Sequence, residues 1–309
     1  MNSKNKLAEM PIRPLLYTMA VPLMLSLLIQ SLYNIVDSIF VARLSETALT
    51  AASLVYAIQF LMIATVIGQL IGAAAALWFN RVKNPVIHVS LKGYRFLWQD
   101  VADIYRVGLP TIVMQAIGSV MTFAVNGILL GVSSTAVAFF GIYYKLQNFL
   151  MMPVNGLGQA AIPVVGFNYG SGQSDRVKQA WKVLLPTGVV FALCGTAVFL
   201  LFPAQLLGLF SASNEMLAFG VPALRIISVT FLFAVITILC GYFASGLGNG
   251  IVNMIGGALR QLVVLVPCLW LLIRTAGIDK AWFAFWVSEV VACAYSLWAV
   301  RKELRNKVK

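Results

Sequence analysis

Apolar runs of about twenty or more residues recur along this chain, and between them the charged residues gather in short clusters. As a helix rising about 1.5 Å per residue, each run is long enough to cross the roughly 30 Å of hydrocarbon in a bilayer. A barrel is excluded, because its strands would alternate polar and apolar residues. The runs predict helices over about 15–41, 48–79, 107–132, 136–167, 183–202, 216–247, 251–273 and 281–300. The expected fold is therefore an all-α integral membrane protein with about eight transmembrane helices. Composition agrees: 61% of residues are hydrophobic, 10% are charged and the mean hydropathy is +0.90, far from a soluble domain.

An even number of spans places both termini on one side, and the basic residues say which. With the N-terminus inside, sixteen lysines and arginines fall in cytoplasmic segments, from Lys4 through Arg81, Lys92, Arg106, Arg176 and Lys182 to Lys309. Only Arg43, Arg225, Arg274 and Lys280 fall outside. This bias follows the positive-inside rule and predicts a bacterial-type inner-membrane protein with both termini cytoplasmic. The polar leader MNSKNKLAEMPIR reads as a cytoplasmic tail rather than a signal peptide. The net charge of +12 is thus topology and attraction to anionic lipid, and no nucleic-acid partner is expected.

Catalytic and metal signals are weak. Cys194, Cys240, Cys268 and Cys293 lie inside apolar runs without paired spacing, and His88 has no acid or cysteine near it. No HExxH, paired acids or Ser/His set occurs, so no enzyme, cofactor or metal is expected.

The chain repeats itself at a spacing of 88 to 90 residues. Tyr17 and Pro22 recur as Tyr105 and Pro110, Ser31 as Ser119, and Val36-Asp37 as Val125-Asn126. Thr47-Ala48 recurs as Thr135-Ala136, Gln59 as Gln147, and Gly68-Gln69 as Gly158-Gln159. Two copies of one hairpin starting on the same side are parallel repeats, an arrangement that secondary transporters use to build a site between bundles. The second copy is followed by four further runs and the first by none. Between them, LKGYRFLWQDVADIYR reads as an interfacial helix with its aromatic side near lipid.

Several of these segments resemble one family. YNIVDSIFVARLSETALTAASLVYAIQFLMIA is similar to the first hairpin of multidrug and toxic compound extrusion (MATE) transporters. RVGLPTIVMQAIGSV, AFFGIYYKLQNFLMMPVNGLGQAAIPVVGFNYGSG and ALRQLVVLVPCLWLL resemble that family's second half. The resemblance implies two helical lobes around a cleft and export of organic compounds, including cationic drugs, in exchange for protons or sodium. It also implies a shortened first lobe, since residues 48–62 look like the start of the family's second helix and residues 65–80 like the end of its sixth. The expected organisation is an abbreviated N-terminal lobe of two helices over residues 1–80 and a cytoplasmic interfacial connector over 81–106. A complete six-helix lobe with a basic tail follows over 107–309. A chain this lopsided is expected to be inactive alone, self-associated, or a remnant or assembly partner. A lipid-linked oligosaccharide flippase of the same superfamily is the alternative transporter reading.

The candidate residues follow from burial and from the resemblance. Asp37 is a carboxylate in an apolar run, where a lone charge is costly unless protonated or paired. The resemblance gives it a cation-coupling role, while a headgroup-level acid near Arg43 is the plainer reading. Gln147, Asn148, Asn155 and Gln159 share one run with Pro153, Gly156 and Gly158. Two readings stand there, a polar, bendable cavity wall or small residues that permit close packing. Gln59 and Asn126 join these as cavity candidates. Arg260 and Glu289 lie at comparable depth in the last two runs and are expected to form a structural ion pair. Lys145 is either a snorkelling anchor or an anion contact.

Overall fold

The computed structural model describes residues 6–42, 63–83 and 98–308. They form α1 (Ile12–Ala42), α2 (Ile63–Lys83), α3 (Trp98–Leu130), α4 (Ser134–Gly170), α5 (Ser174–Leu201), α6 (Asn214–Ser228), α7 (Phe231–Gly246), α8 (Gly250–Ala258), α9 (Leu265–Ala276) and α10 (Phe283–Lys307). Single short turns occur at Lys6–Glu9, Pro203–Gly208 and Ile278–Ala281, and a π-helical turn, Leu259–Val263, joins α8 to α9. The fold is all-α. Among the described residues, five helical stretches are long and apolar enough to cross a membrane, and α6 with α7 makes a sixth. Leu70–Phe79 and Ala116–Leu130 are shorter apolar stretches within the second and third expected runs.

Local chemistry sets the helix ends. Ser133 caps α4 by accepting from the Thr135 N–H at 3.1 Å, and Ser213 caps α6 by accepting from Met216 N–H at 3.2 Å. Gly277, at φ +79°, ends α9 in a conformation that an L side chain rarely adopts. The expected span at 216–247 is bent by 46° between α6 and α7. There Thr196 Oγ1 donates to Ser228 O at 3.1 Å and Thr230 Oγ1 to Ile227 O at 2.7 Å. The Thr196 hydroxyl thus reaches a carbonyl at the break, where hydrocarbon makes an unpaired group costly, and the Thr230 hydroxyl adds to the backbone N–H bond that Ile227 O already accepts from Thr230.

α4 is the spine. α1 packs along its length, α5 and α7 lie beside it, and α7 in turn touches α8 and α10. At one end an aromatic layer locks α4 to α6 and α10, with Phe139 4.9 Å from Trp282 and 5.4 Å from Phe219 between ring centroids. α3 starts at Trp98, so the expected interfacial segment and the third span share one helix from that residue on. On α2, Leu70, Ile71, Leu77, Trp78 and Phe79 are all exposed.

Candidate functional site

A cavity of about 730 Å³ opens between α1, α3, α4, α7, the α8–α9 segment and α10. α4 supplies more of its polar side chains than any other element. Gln147, Met151, Asn155 and Gln159 recur at intervals of four, so they lie along one face, and Asn148 and Met152 broaden it. The polar-wall and close-packing readings of this segment both describe real features, on different sides of the helix. Gly156 abuts the Leu23–Met24 backbone of α1, so it serves packing. A Cβ at Gly158 would overlap the Tyr242 ring, and one at Gly241 would overlap the Asn253 amide. These two glycines therefore seat cavity side chains. Tyr242 donates to Asn155 Oδ1 at 3.3 Å.

Arg260 and Glu289, distant in sequence, meet in this wall: Arg260 Nε lies 3.1 Å from Glu289 Oε1. Both line the cavity, and Arg260 is the more exposed of the two, at 14% against 4% for the Glu289 side chain. Glu289 Oε2 is buried without a hydrogen-bond partner among the described residues. Arg260 stands on the π turn, a helical irregularity found frequently at functional sites. The described lining holds no other charged residue.

The remaining sequence candidates lie elsewhere. Asn126 is buried on α3 outside the cavity lining, its Oδ1 without a partner among the described residues. Asp37 lies within α1, but its side chain is outside the described set, as is Gln59. Lys145 is half-buried on α4. Sequence reasoning missed Tyr242, Asn253 and Gln261. The spacing Asn253, Gly257, Gln261 repeats the four-residue interval of α4 and was the available signal.

A bundle of apolar helices around a polar, partly charged cavity is the architecture of an α-helical integral membrane protein with an internal small-molecule pocket. The MatE family model matches residues 22–77 and 110–270. The chain belongs to the MATE family, and it is a multi-pass membrane protein. It is 26% identical over 263 residues to the multidrug export protein MepA of Staphylococcus haemolyticus, covering 82% of this chain and 57% of that protein. It is 28% identical over 248 residues to the probable multidrug resistance protein NorM of Rhizobium meliloti, covering 77% of this chain and 53% of that protein. A solved MOP superfamily transporter from Pyrococcus furiosus superposes with a TM-score of 0.72 at 21% identity, over 80% of this chain and 56% of that one. The chain thus spans about half the length of the relatives it matches.

Proposed function

We propose that this chain works in MATE-type secondary transport, with the cavity as its substrate site. Small organic compounds bearing a cationic group enter it, and export is driven by protons or sodium ions coupled through Asp37. The observation that carries this reading is the 730 Å³ cavity itself, which lies in the size range of small-molecule sites. Its polar stripe on α4 provides hydrogen bonds, and Tyr144, Tyr242 and Phe285 provide aromatic surface for a cation. A flippase for large anionic lipid-linked sugars is less well served, because the described lining offers a single basic side chain. The protein is placed in the inner membrane with both termini in the cytoplasm, on the strength of the basic clusters.

Two described N-terminal helices face a much larger C-terminal bundle, whereas alternating access needs one bundle to move against another of comparable size. Binding is therefore expected of the single chain, and gradient-driven transport only of associated copies. The test is purified protein in liposomes under an imposed proton or sodium gradient, with binding and uptake of a cationic dye measured side by side. Absence of saturable dye binding would remove the cavity as a substrate site.

A further inference from the structure

We propose that the cavity recognises organic zwitterions by their carboxylate, with Arg260 as the recognising group. This rests on the reading of the cavity as the substrate site and adds a charge preference to it.

The charge pair is asymmetric toward the cavity. Glu289 is the buried member and Arg260 the more exposed one, so a ligand meets the guanidinium first. A guanidinium carries five N–H donors in a fixed fork, and the ion pair engages it through Nε. The two terminal nitrogens are outside that contact. A planar fork of that kind pairs with carboxylates through two parallel hydrogen bonds, a geometry that a lysine ammonium cannot reproduce. Glu289 compensates the arginine's charge without filling its hydrogen-bonding capacity.

The surroundings suit the rest of such a ligand. Gln261 follows Arg260 on the π turn and Asn253 lies two turns earlier, so amides flank the guanidinium. Tyr144 and Phe285 line the same cavity and offer faces to a ring system, including a cationic one. Glu289 Oε2, buried and without a partner, is too enclosed to take an ammonium group directly. The anionic end of the ligand is thus fixed at Arg260, and its cationic end lies on aromatic and amide surface.

The deciding experiment uses two dyes that differ in one group, a tetramethylrhodamine carboxylic acid, which is zwitterionic, and its methyl ester, which is cationic. Binding to the purified full chain in detergent is followed by fluorescence anisotropy. The free acid is expected to bind about tenfold tighter than the ester, the preference that one charge-assisted pair supplies. Replacing both charges, Arg260→Gln with Glu289→Gln, leaves no unpaired buried ion. It is expected to abolish the preference, whatever it does to the absolute affinity for either dye. Arg260→Lys is expected to keep part of it. Equal affinities in the wild type, or a preference that survives the double replacement, would overturn the proposal and leave the cavity reading standing. Binding of neither dye would overturn both. If the double variant also loses the ester, it has lost its fold, and the wild type decides: excess benzoate must displace the acid and spare the ester. Failure of benzoate to do so overturns the proposal.

Discussion

Gly156 on α4 lies directly beneath Met24 on α1: a Cβ at Gly156 would come within 2.7 Å of the Met24 backbone nitrogen and 2.8 Å of its Cα. Backbone cannot swing aside as a side chain can, so the two helices must separate. Small residues at such crossings let membrane helices pack by van der Waals contact, which is the main attraction available in lipid. Gly156→Ala is expected to destabilise the protein by about 1–3 kcal/mol, the usual cost of overpacking. Thermal unfolding in detergent measures it. Gly127→Ala, which meets nothing within 4 Å, is the control and is expected to be neutral or slightly stabilising.

Arg176 ties the N-terminal segment to the end of α4. Its Nε donates to Asn168 Oδ1 at 2.6 Å, and its Nη2 donates to Leu7 O at 3.0 Å and Met10 O at 2.7 Å. Asn168 is itself fully buried and donates to Val164 O at 2.7 Å, which fixes the acceptor. Arg176→Ala is expected to cost roughly 1–3 kcal/mol, because a charged donor to several partners disappears. It is also expected to speed proteolysis ahead of Ile12. Arg176→Lys recovers little, since one ammonium cannot span the three acceptors as the fork does. Unchanged protease resistance in Arg176→Ala would show that the segment is held by Leu7 and Met10 packing alone.

Much of this was legible in the residues and some was not, for identifiable reasons. Apolar run length depends on local composition, so the described helices fall close to their expected places, while the part of the second expected run before Ile63 lies outside the described residues. The polar stripe of α4 is equally local, being a four-residue interval within one helix. Arg260 and Glu289 were placed at similar depth by counting along two runs, yet their 3.1 Å contact depends on how α10 packs against the π turn, which no local pattern encodes. Asn126 shows the opposite limit. Its repeat match to Asp37 suggested a cavity position, but the rotation of α3 turns it away from the lining. The 46° bend after Ser228 lacks the usual proline at the break and rests instead on the hydroxyls of Thr196 and Thr230.

Topology is tested by fusion reporters. If basic clusters hold the N-terminus, the 81–106 segment and the 170–182 segment in the cytoplasm, fusions after Gly131 and after Ser213 are expected to report the outside. The Ser133 and Ser213 caps place both sites at helix junctions, where an insertion disturbs no span. A cytoplasmic signal at either position contradicts the assigned orientation.

For Asp37, the coupling role predicts a separation between binding and transport. Asp37→Asn keeps the size and polarity of the side chain but removes its titratable, anionic group. Saturable dye binding is expected to persist, while gradient-dependent uptake falls to background in whatever assembly transports. Full uptake by Asp37→Asn would leave Asp37 as a headgroup-level acid near Arg43.

The last prediction concerns assembly. The apolar side chains described on α2, from Leu70 through Phe79, are exposed, so among the described residues of the N-terminal portion α1 is the one that packs along α4. α1 itself is committed to α4 through the Gly156 crossing, and pulling it away to open a cleft would further uncover the polar α4 stripe at Gln147 and Asn155. Unpaired polar groups in hydrocarbon are costly, so such an opening is unfavourable unless another protein surface meets it. Reconstituted monomers, fixed at low protein-to-lipid ratio and verified by single-molecule bleaching, are therefore expected to bind dye without moving it. Uptake is expected to emerge as the ratio rises and two-step bleaching takes over. Robust gradient-driven uptake at a ratio where only single bleaching steps are seen would show that one chain completes the cycle, with α1 sliding on α4 rather than parting from it.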